Sequence, residues 1–153
     1  MTVRIMTVCT GDICRSPYAG RVLADAFEAV SPGAFEVECV GIGALVGAGV
    51  DPRSVLMLAR RGLEHDGFRA RQISEPLLEG VDLVLPLTLE HRKIVPSYSP
   101  RLMKRCFTLK EAAGLIRFAK QRTPWGERDA GTASPEERWA QVIPAELVRS
   151  VAC

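Results

Sequence analysis

An apolar run, Val3-Arg4-Ile5-Met6-Thr7-Val8, passes directly into Cys9-Thr10-Gly11-Asp12-Ile13-Cys14-Arg15-Ser16-Pro17, and no other stretch restricts the fold as strongly. The run is short and nearly continuous in apolar residues, as expected for a strand covered on both faces. Ser16 and Pro17 can open a helix, because the proline ring is tolerated where a helix has no amide to satisfy. Beyond them Val22, Leu23, Ala26, Phe27 and Val30 recur at helical spacing until Ser31-Pro32-Gly33 ends the pattern. The unit is therefore strand, loop, helix, with a cysteine at the strand end and an arginine at the helix start.

The same alternation continues downstream. Residues 35–40 alternate apolar and polar side chains, which suits a strand near an edge, and residues 81–87 form a second buried run. A fourth, weaker strand is predicted over 104–107. Asp51 followed by Pro52 starts a helix carrying Val55, Leu56, Leu58 and Ala59. Thr108 with Glu111, and Ser134 with Glu137, have the spacing of a capping box, in which hydroxyl and carboxylate satisfy each other's free backbone amides. Residues 121–133, with Pro124, Gly126 and Gly131, read as a surface loop. With 153 residues, 47% of them hydrophobic, the chain can bury one core. These patterns predict an α/β fold: a single domain over 1–153 with a small, about four-stranded parallel sheet and helices on both faces.

The charge balance excludes several partners. Twenty basic and eighteen acidic residues leave a net charge of +2, with no field suited to nucleic acid or a membrane surface. The local cluster Arg53, Arg60, Arg61, Arg69 and Arg71 reads as a solvated face. No apolar stretch reaches the roughly 18 residues of a membrane span, and the N-terminus lacks a signal-peptide pattern. Five cysteines, Cys9, Cys14, Cys39, Cys106 and Cys153, are odd in number and scattered, which points to a reducing compartment and a cytoplasmic location. With only His65 and His91 and no Cys-x-x-Cys pair, no metal site is expected.

The loop itself points to a chemistry. A thiol attacks well only as thiolate. Cys9 is expected at the carboxyl end of a parallel strand, facing the positive end of a helix, with the Arg15 cation beside it and the Ser16 hydroxyl within reach. The backbone amides of Thr10, Gly11, Asp12, Ile13 and Cys14 can wrap a dianion, and Gly11 gives the chain freedom to do so. Arg15 adds a planar fork that fits two phosphate oxygens. A bare Cys-x5-Arg is also met as a small buried hydrophobe followed by a surface charge. The preceding strand, Gly11 and the following Ser16-Pro17 are what turn it into a phosphate-binding, nucleophilic site.

At this point the chain resembles the low-molecular-weight protein tyrosine phosphatases. That family begins with a strand and the loop Cys-x-Gly-Asn-x-Cys-Arg-Ser-Pro. The similarity continues through Gly41-Ile-Gly-Ala44, Asp51-Pro-Arg53, Arg69-Ala-Arg-Gln72, and Val81-Asp-Leu-Val84 with Glu90-His91, over the first two-thirds of the chain. The resemblance implies a phosphatase-I-like fold with a four-stranded parallel sheet, no cofactor, and hydrolysis through a phosphocysteine. It implies Cys9 as nucleophile, Arg15 as holder of the phosphoryl oxygens and Ser16 as support for the thiolate. The implied substrate is a phosphorylated protein or a small aryl phosphate.

The chain departs from that pattern in three places. Asp12 replaces the usual asparagine; it can accept hydrogen bonds but not donate them as an amide would. It either adds unwelcome negative charge to the anion site or turns away to cap loop amides. The family's late Asp-Pro, which supplies the general acid, is absent, and the late candidate is Asp129, which lacks the proline. Leu45-Val46-Gly47 stands where many relatives carry an aromatic wall. The resemblance also places Cys14 in the same loop as Cys9, where a reversible disulfide would shield the nucleophile. Two alternatives remain beside hydrolysis: a phosphoanion-binding protein without the acid, and a thiol-coupled arsenate reductase. The latter needs further cysteines, and residues 73–105 contain none.

Overall fold

The computed structural model describes residues 2–122, which form a parallel sheet with helices on both faces. Strand β1 (Val3–Cys9) leads to helix α1 (Arg15–Val30), and β2 (Phe35–Gly41) to α2 (Pro52–Ala59). The short α3 (Glu75–Leu78), β3 (Leu83–Pro86), α4 (Leu89–Tyr98), a 3-10 helix (Pro100–Arg105) and α5 (Leu109–Arg122) follow. The strand order is β2-β1-β3, all parallel, with Cys9 opposite Gly41 and Val8 opposite Pro86.

Alternation along β1 divides the core. Ile5 joins Leu23 and Phe27 of α1, Leu58 and Leu85 on one face. Met6 and Val8 join Val40, Ile73, Leu78, Val84 and Val95 on the other. Phe27 stacks on Phe35 with ring centroids 4.5 Å apart. Each fully buried large side chain of this kind contributes about 1.5–3 kcal/mol relative to exposure. Thr7 interrupts the apolar series because its hydroxyl donates to the Ser16 carbonyl at 3.0 Å, tying the middle of β1 to the first turn of α1.

The helix starts predicted at Asp51-Pro52 and Thr108 are present. Asp51 accepts from the Arg53 amide at 2.9 Å, with Pro52 in the first turn of α2. Thr108 and Glu111 exchange bonds of 2.8 and 3.1 Å as a capping box at the start of α5. Arg53, Arg60, Arg61 and Arg69 are exposed, whereas Arg71 is half-buried and paired with Glu38.

Two strand predictions require correction. The strand predicted over 81–87 is ordered as β only at Leu83–Pro86, because the Asp82 side chain takes the Arg4 amide at 2.9 Å in place of a ladder bond. The predicted fourth strand over 104–107 does not form, so the sheet has three strands among the described residues. Pro100 starts a 3-10 helix that runs to Arg105, and the Arg101 guanidinium holds it on the Leu78 carbonyl at 2.6 Å. Only Cys106 bridges to Val84, in parallel sense, and Phe107 donates to the Val84 carbonyl. Helix α4, which the sequence patterns above do not include, contains Pro96. Of the loop expected over 121–133, residues 121 and 122 belong instead to α5, and the remainder lies outside the described residues. The Ser134 cap, Asp129 and Cys153 lie outside the described residues. No helix among the described residues is long and apolar enough to cross a membrane.

Candidate active site

The carboxyl ends of β1, β2 and β3 meet at residues 9 to 16. Carbonyl oxygens around this loop are engaged from outside: Cys9 by the Ile42 amide, Thr10 by Gly43, Gly11 by Leu45 and Ile13 by Asp51, at 2.7 to 3.0 Å. In a planar trans peptide the N–H points opposite to the C=O. The amides of Thr10, Gly11, Asp12 and Cys14 are therefore turned to the inner side of the loop. None of them has an acceptor among the described residues. Inward amides in succession make an anion cradle. Arg15 is the first residue of α1, where the helix presents its positive end, and its charge acts on His91 beside the loop.

Close backbone approach demands a glycine opposite Cys9. A Cβ on Gly41 would lie 2.4 Å from the Thr10 carbonyl oxygen and 2.9 Å from the Asp12 amide nitrogen. Both contacts are backbone and cannot rotate away. Gly41→Ala is expected to destabilise the protein by about 1–3 kcal/mol, the usual cost of overpacking, and to weaken vanadate binding by opening the loop. Denaturant unfolding and vanadate titration would check this.

Beneath the loop lies a hydrogen-bonded chain. The buried Cys9 Sγ is 2.9 Å from Ser16 Oγ, and Ser16 Oγ donates to Asp12 Oδ1 at 2.7 Å. Asp12 is fully buried with φ of 53°, a left-handed conformation that aspartate and asparagine tolerate better than other side chains. Its second oxygen accepts from the Arg71 amide at 2.9 Å. The carboxylate thus caps a loop amide, as one of the two expectations for it held, and it also takes the Ser16 hydroxyl. Burial raises the pKa of Asp12 above the ordinary carboxylate value; the Arg71 amide, Ser16, the Cys39 thiol and the Arg71 charge oppose that shift. Cys39 is held as a thiol by its own burial and by the neighbouring Asp12 charge. Cys14, by contrast, is exposed, and its sulfur receives the Ser54 hydroxyl at 3.3 Å.

His91 is a site residue that chain-order reasoning did not single out. It sits in the first turn of α4, where the Thr88 hydroxyl caps its amide, and its Nε2 is 3.0 Å from Thr10 Oγ1. The only sequence signal was the Glu90-His91 pair just after the third strand. Its Nδ1 is buried and has no hydrogen-bond partner among the described residues. Burial lowers its pKa, the Arg15 charge adds to the effect, and Glu90 opposes it. A folded-state pKa below the unfolded value of about 6.5 means that stability is full above that pH and falls as pH drops through the folded value. In His91→Gln, which keeps a polar group near Thr10, the stability lost between neutral and mildly acid pH should be smaller than in wild type. Urea unfolding at the two pH values measures this directly.

The chain is similar to known proteins in sequence and in fold. Residues 4–118 match the family described as low molecular weight phosphotyrosine protein phosphatase. The chain is 32% identical over 148 residues to the low molecular weight protein-tyrosine-phosphatase Wzb of Escherichia coli K12, covering 94% of this chain and 97% of that one. It is 31% identical over 111 residues to a protein-arginine-phosphatase of Geobacillus stearothermophilus, covering 72% of each. The crystal structure of a low molecular weight protein tyrosine phosphatase from T. tengcongensis superposes with a TM-score of 0.67 at 25% identity, covering 98% of this chain and 95% of that one.

Proposed function

Because the chain belongs to the low molecular weight phosphotyrosine protein phosphatase family, we infer that it hydrolyses phosphomonoesters on proteins, with phosphotyrosine as the first substrate class. The observation that carries this reading is the set of inward amides between Cys9 and Arg15, closed by a hydroxyl 2.9 Å from the sulfur. Residues 1–153 are proposed to form one catalytic domain, working in the cytoplasm where its scattered thiols stay reduced.

In the proposed reaction the amides of Thr10, Gly11, Asp12 and Cys14 and the Arg15 fork hold the non-bridging oxygens of the phosphoryl group. The Cys9 thiolate attacks phosphorus, an S–P bond forms, and the ester oxygen departs with the bonding pair. Water then attacks the phosphocysteine, releasing phosphate and returning the sulfur, which Ser16 receives with a hydrogen bond. Electrostatic stabilisation by pre-aimed donors is the largest contribution such a site makes. Relatives on both sides of the comparison carry phosphatase names, which favours turnover over anion binding alone.

The segment that carries Leu45 and Val46 is joined to the loop by the Leu45 amide, and both side chains are exposed beside it. They offer an aliphatic wall to an aryl group without a stacking partner. Asp129 is the proposed acid for the leaving oxygen. Asp129→Asn should lower kcat about 10²-fold for phenyl phosphate, the low end of acid catalysis, and much less for p-nitrophenyl phosphate, whose leaving group needs little protonation.

The deciding experiment is metal-free phosphate release, inhibited by vanadate, from p-nitrophenyl phosphate and from matched phosphotyrosine and phosphoarginine peptides. Faster turnover of the phosphoarginine peptide would replace phosphotyrosine as the substrate. Vanadate binding with no release from any of the three would leave only an anion-binding role.

A further inference from the structure

A serine hydroxyl carries one hydrogen, and here it stands between two groups that both want it. Ser16 Oγ is 2.9 Å from Cys9 Sγ and 2.7 Å from Asp12 Oδ1. Only two arrangements satisfy all three atoms. In one, Cys9 is a thiol that donates to Ser16, and Ser16 donates to an Asp12 carboxylate. In the other, a neutral Asp12 donates to Ser16, and Ser16 donates to a Cys9 thiolate.

We propose that Asp12 holds the proton of the nucleophile: it takes it from Cys9 through the Ser16 hydroxyl, so that sulfur and carboxyl share one proton and one negative charge. In the transfer the Cys9 S–H bond breaks as an O–H bond forms on Ser16 Oγ. The original Ser16 O–H bond breaks as one forms on Asp12 Oδ1. No electron changes hands, and the charge of the pair is constant. Asp12 acts on the sulfur only through Ser16, so it is a positioning residue that sets the state of Cys9.

The surroundings of Asp12 lock neither of its states: burial favours the neutral carboxyl, and the donors facing it favour the carboxylate. From α1 comes Ser16; from the segment between α2 and α3 comes Arg71, with its amide on Oδ2 and its guanidinium turned to Glu38. From β2 comes the Cys39 thiol, which is held protonated and so acts as a donor. Burial favours the neutral carboxyl, and Asp12 has no exposed surface through which water could supply or remove the proton. The sulfur end of the pair belongs to the residue that opens the loop of inward amides, groups suited to receive a negative charge. A thiolate and a carboxylate bridged by one hydroxyl, both charged, would leave one of them without its donor. An asparagine at position 12 would lock the second arrangement permanently, since its amide donates to Ser16 but cannot take the Cys9 proton.

The proposal rests on Cys9 being the nucleophile, yet its test needs no turnover. In full-length protein, ¹³C resonances of the Asp12 carboxyl and the Cys9 β-carbon are followed against pH, alongside iodoacetamide alkylation of Cys9 read by mass spectrometry. The expected result is a coupled pair: both resonances move with the same two midpoints, and Cys9→Ser reduces the Asp12 titration to one step. Asp12→Asn should reduce the alkylation profile to a single step. Ser16→Ala should slow alkylation at least about tenfold near pH 6, as expected for losing a hydrogen bond to a charged group. The proposal is overturned if Asp12 titrates in one step unchanged by Cys9→Ser, or if wild-type and Asp12→Asn alkylation profiles superpose. Coupled titration without phosphate release would remove the phosphatase reading alone, and phosphate release with an uncoupled Asp12 would remove the relay alone.

Discussion

Cys9→Ser is expected to leave the fold standing and to end phosphate release, with a loss on the order of 10⁶-fold, the scale seen when a nucleophile that works as a unit with its neighbours is removed. The substitution is nearly isosteric at a buried position, and the Ser16 hydroxyl 2.9 Å away can bond to oxygen as it does to sulfur. What disappears is the reactive anion, because an alcohol is not deprotonated where a thiol can be. The cradle amides do not depend on the sulfur, since the loop carbonyls are fixed by Ile42, Gly43, Leu45 and Asp51. Vanadate or phosphate should therefore still bind non-covalently to the variant. Stopped-flow release from p-nitrophenyl phosphate, together with calorimetric phosphate titration, separates the two effects. A variant that kept even one per cent of wild-type turnover would remove Cys9 from the role of nucleophile.

The second large effect belongs to Arg15. Removing one pre-aimed donor typically costs about 10²–10³ in kcat, so Arg15→Ala, which removes two donors and a full charge, should lose on the order of 10⁴-fold. Arg15→Lys should recover part of the anion affinity but little of the rate, because a point charge cannot span two oxygens as a planar fork does. The loss should appear in kcat more than in KM if the fork fits the transition state better than the ground state. Arg15 also contributes to the lowered pKa of His91, so Arg15→Ala should let His91 titrate closer to its ordinary value, visible in its ring proton resonances. A variant whose His91 titration is unmoved would mean that the guanidinium points away from the Thr10 side of the loop.

Local sequence carried a good part of the fold. The first strand, the helix after it, the Asp51-Pro52 start and the Thr108–Glu111 capping box all formed where the residue pattern put them, because each depends on neighbours a few positions apart. The errors came where a distant contact decided the outcome. The Asp82 carboxylate on the Arg4 amide shortened the third strand, and Arg101 reaching Leu78 turned the expected fourth strand into a 3-10 helix. Helix α4 forms around Pro96 although a proline inside a helix removes one backbone bond, and the buried His91 and Val95 pack it in place.

The candidate site divides in the same way. Cysteine, glycine, arginine and serine at fixed offsets already pointed to a loop of amides beside a sulfur, because the spacing of amides along one short segment is a property of the chain itself. Which way Asp12 turned, that His91 reaches Thr10, and that Gly41 must lack a side chain were decided by the tertiary structure. Those partners come from residues 4 to 81 positions away, and only the parallel packing of β1 between β2 and β3 brings them to one rim.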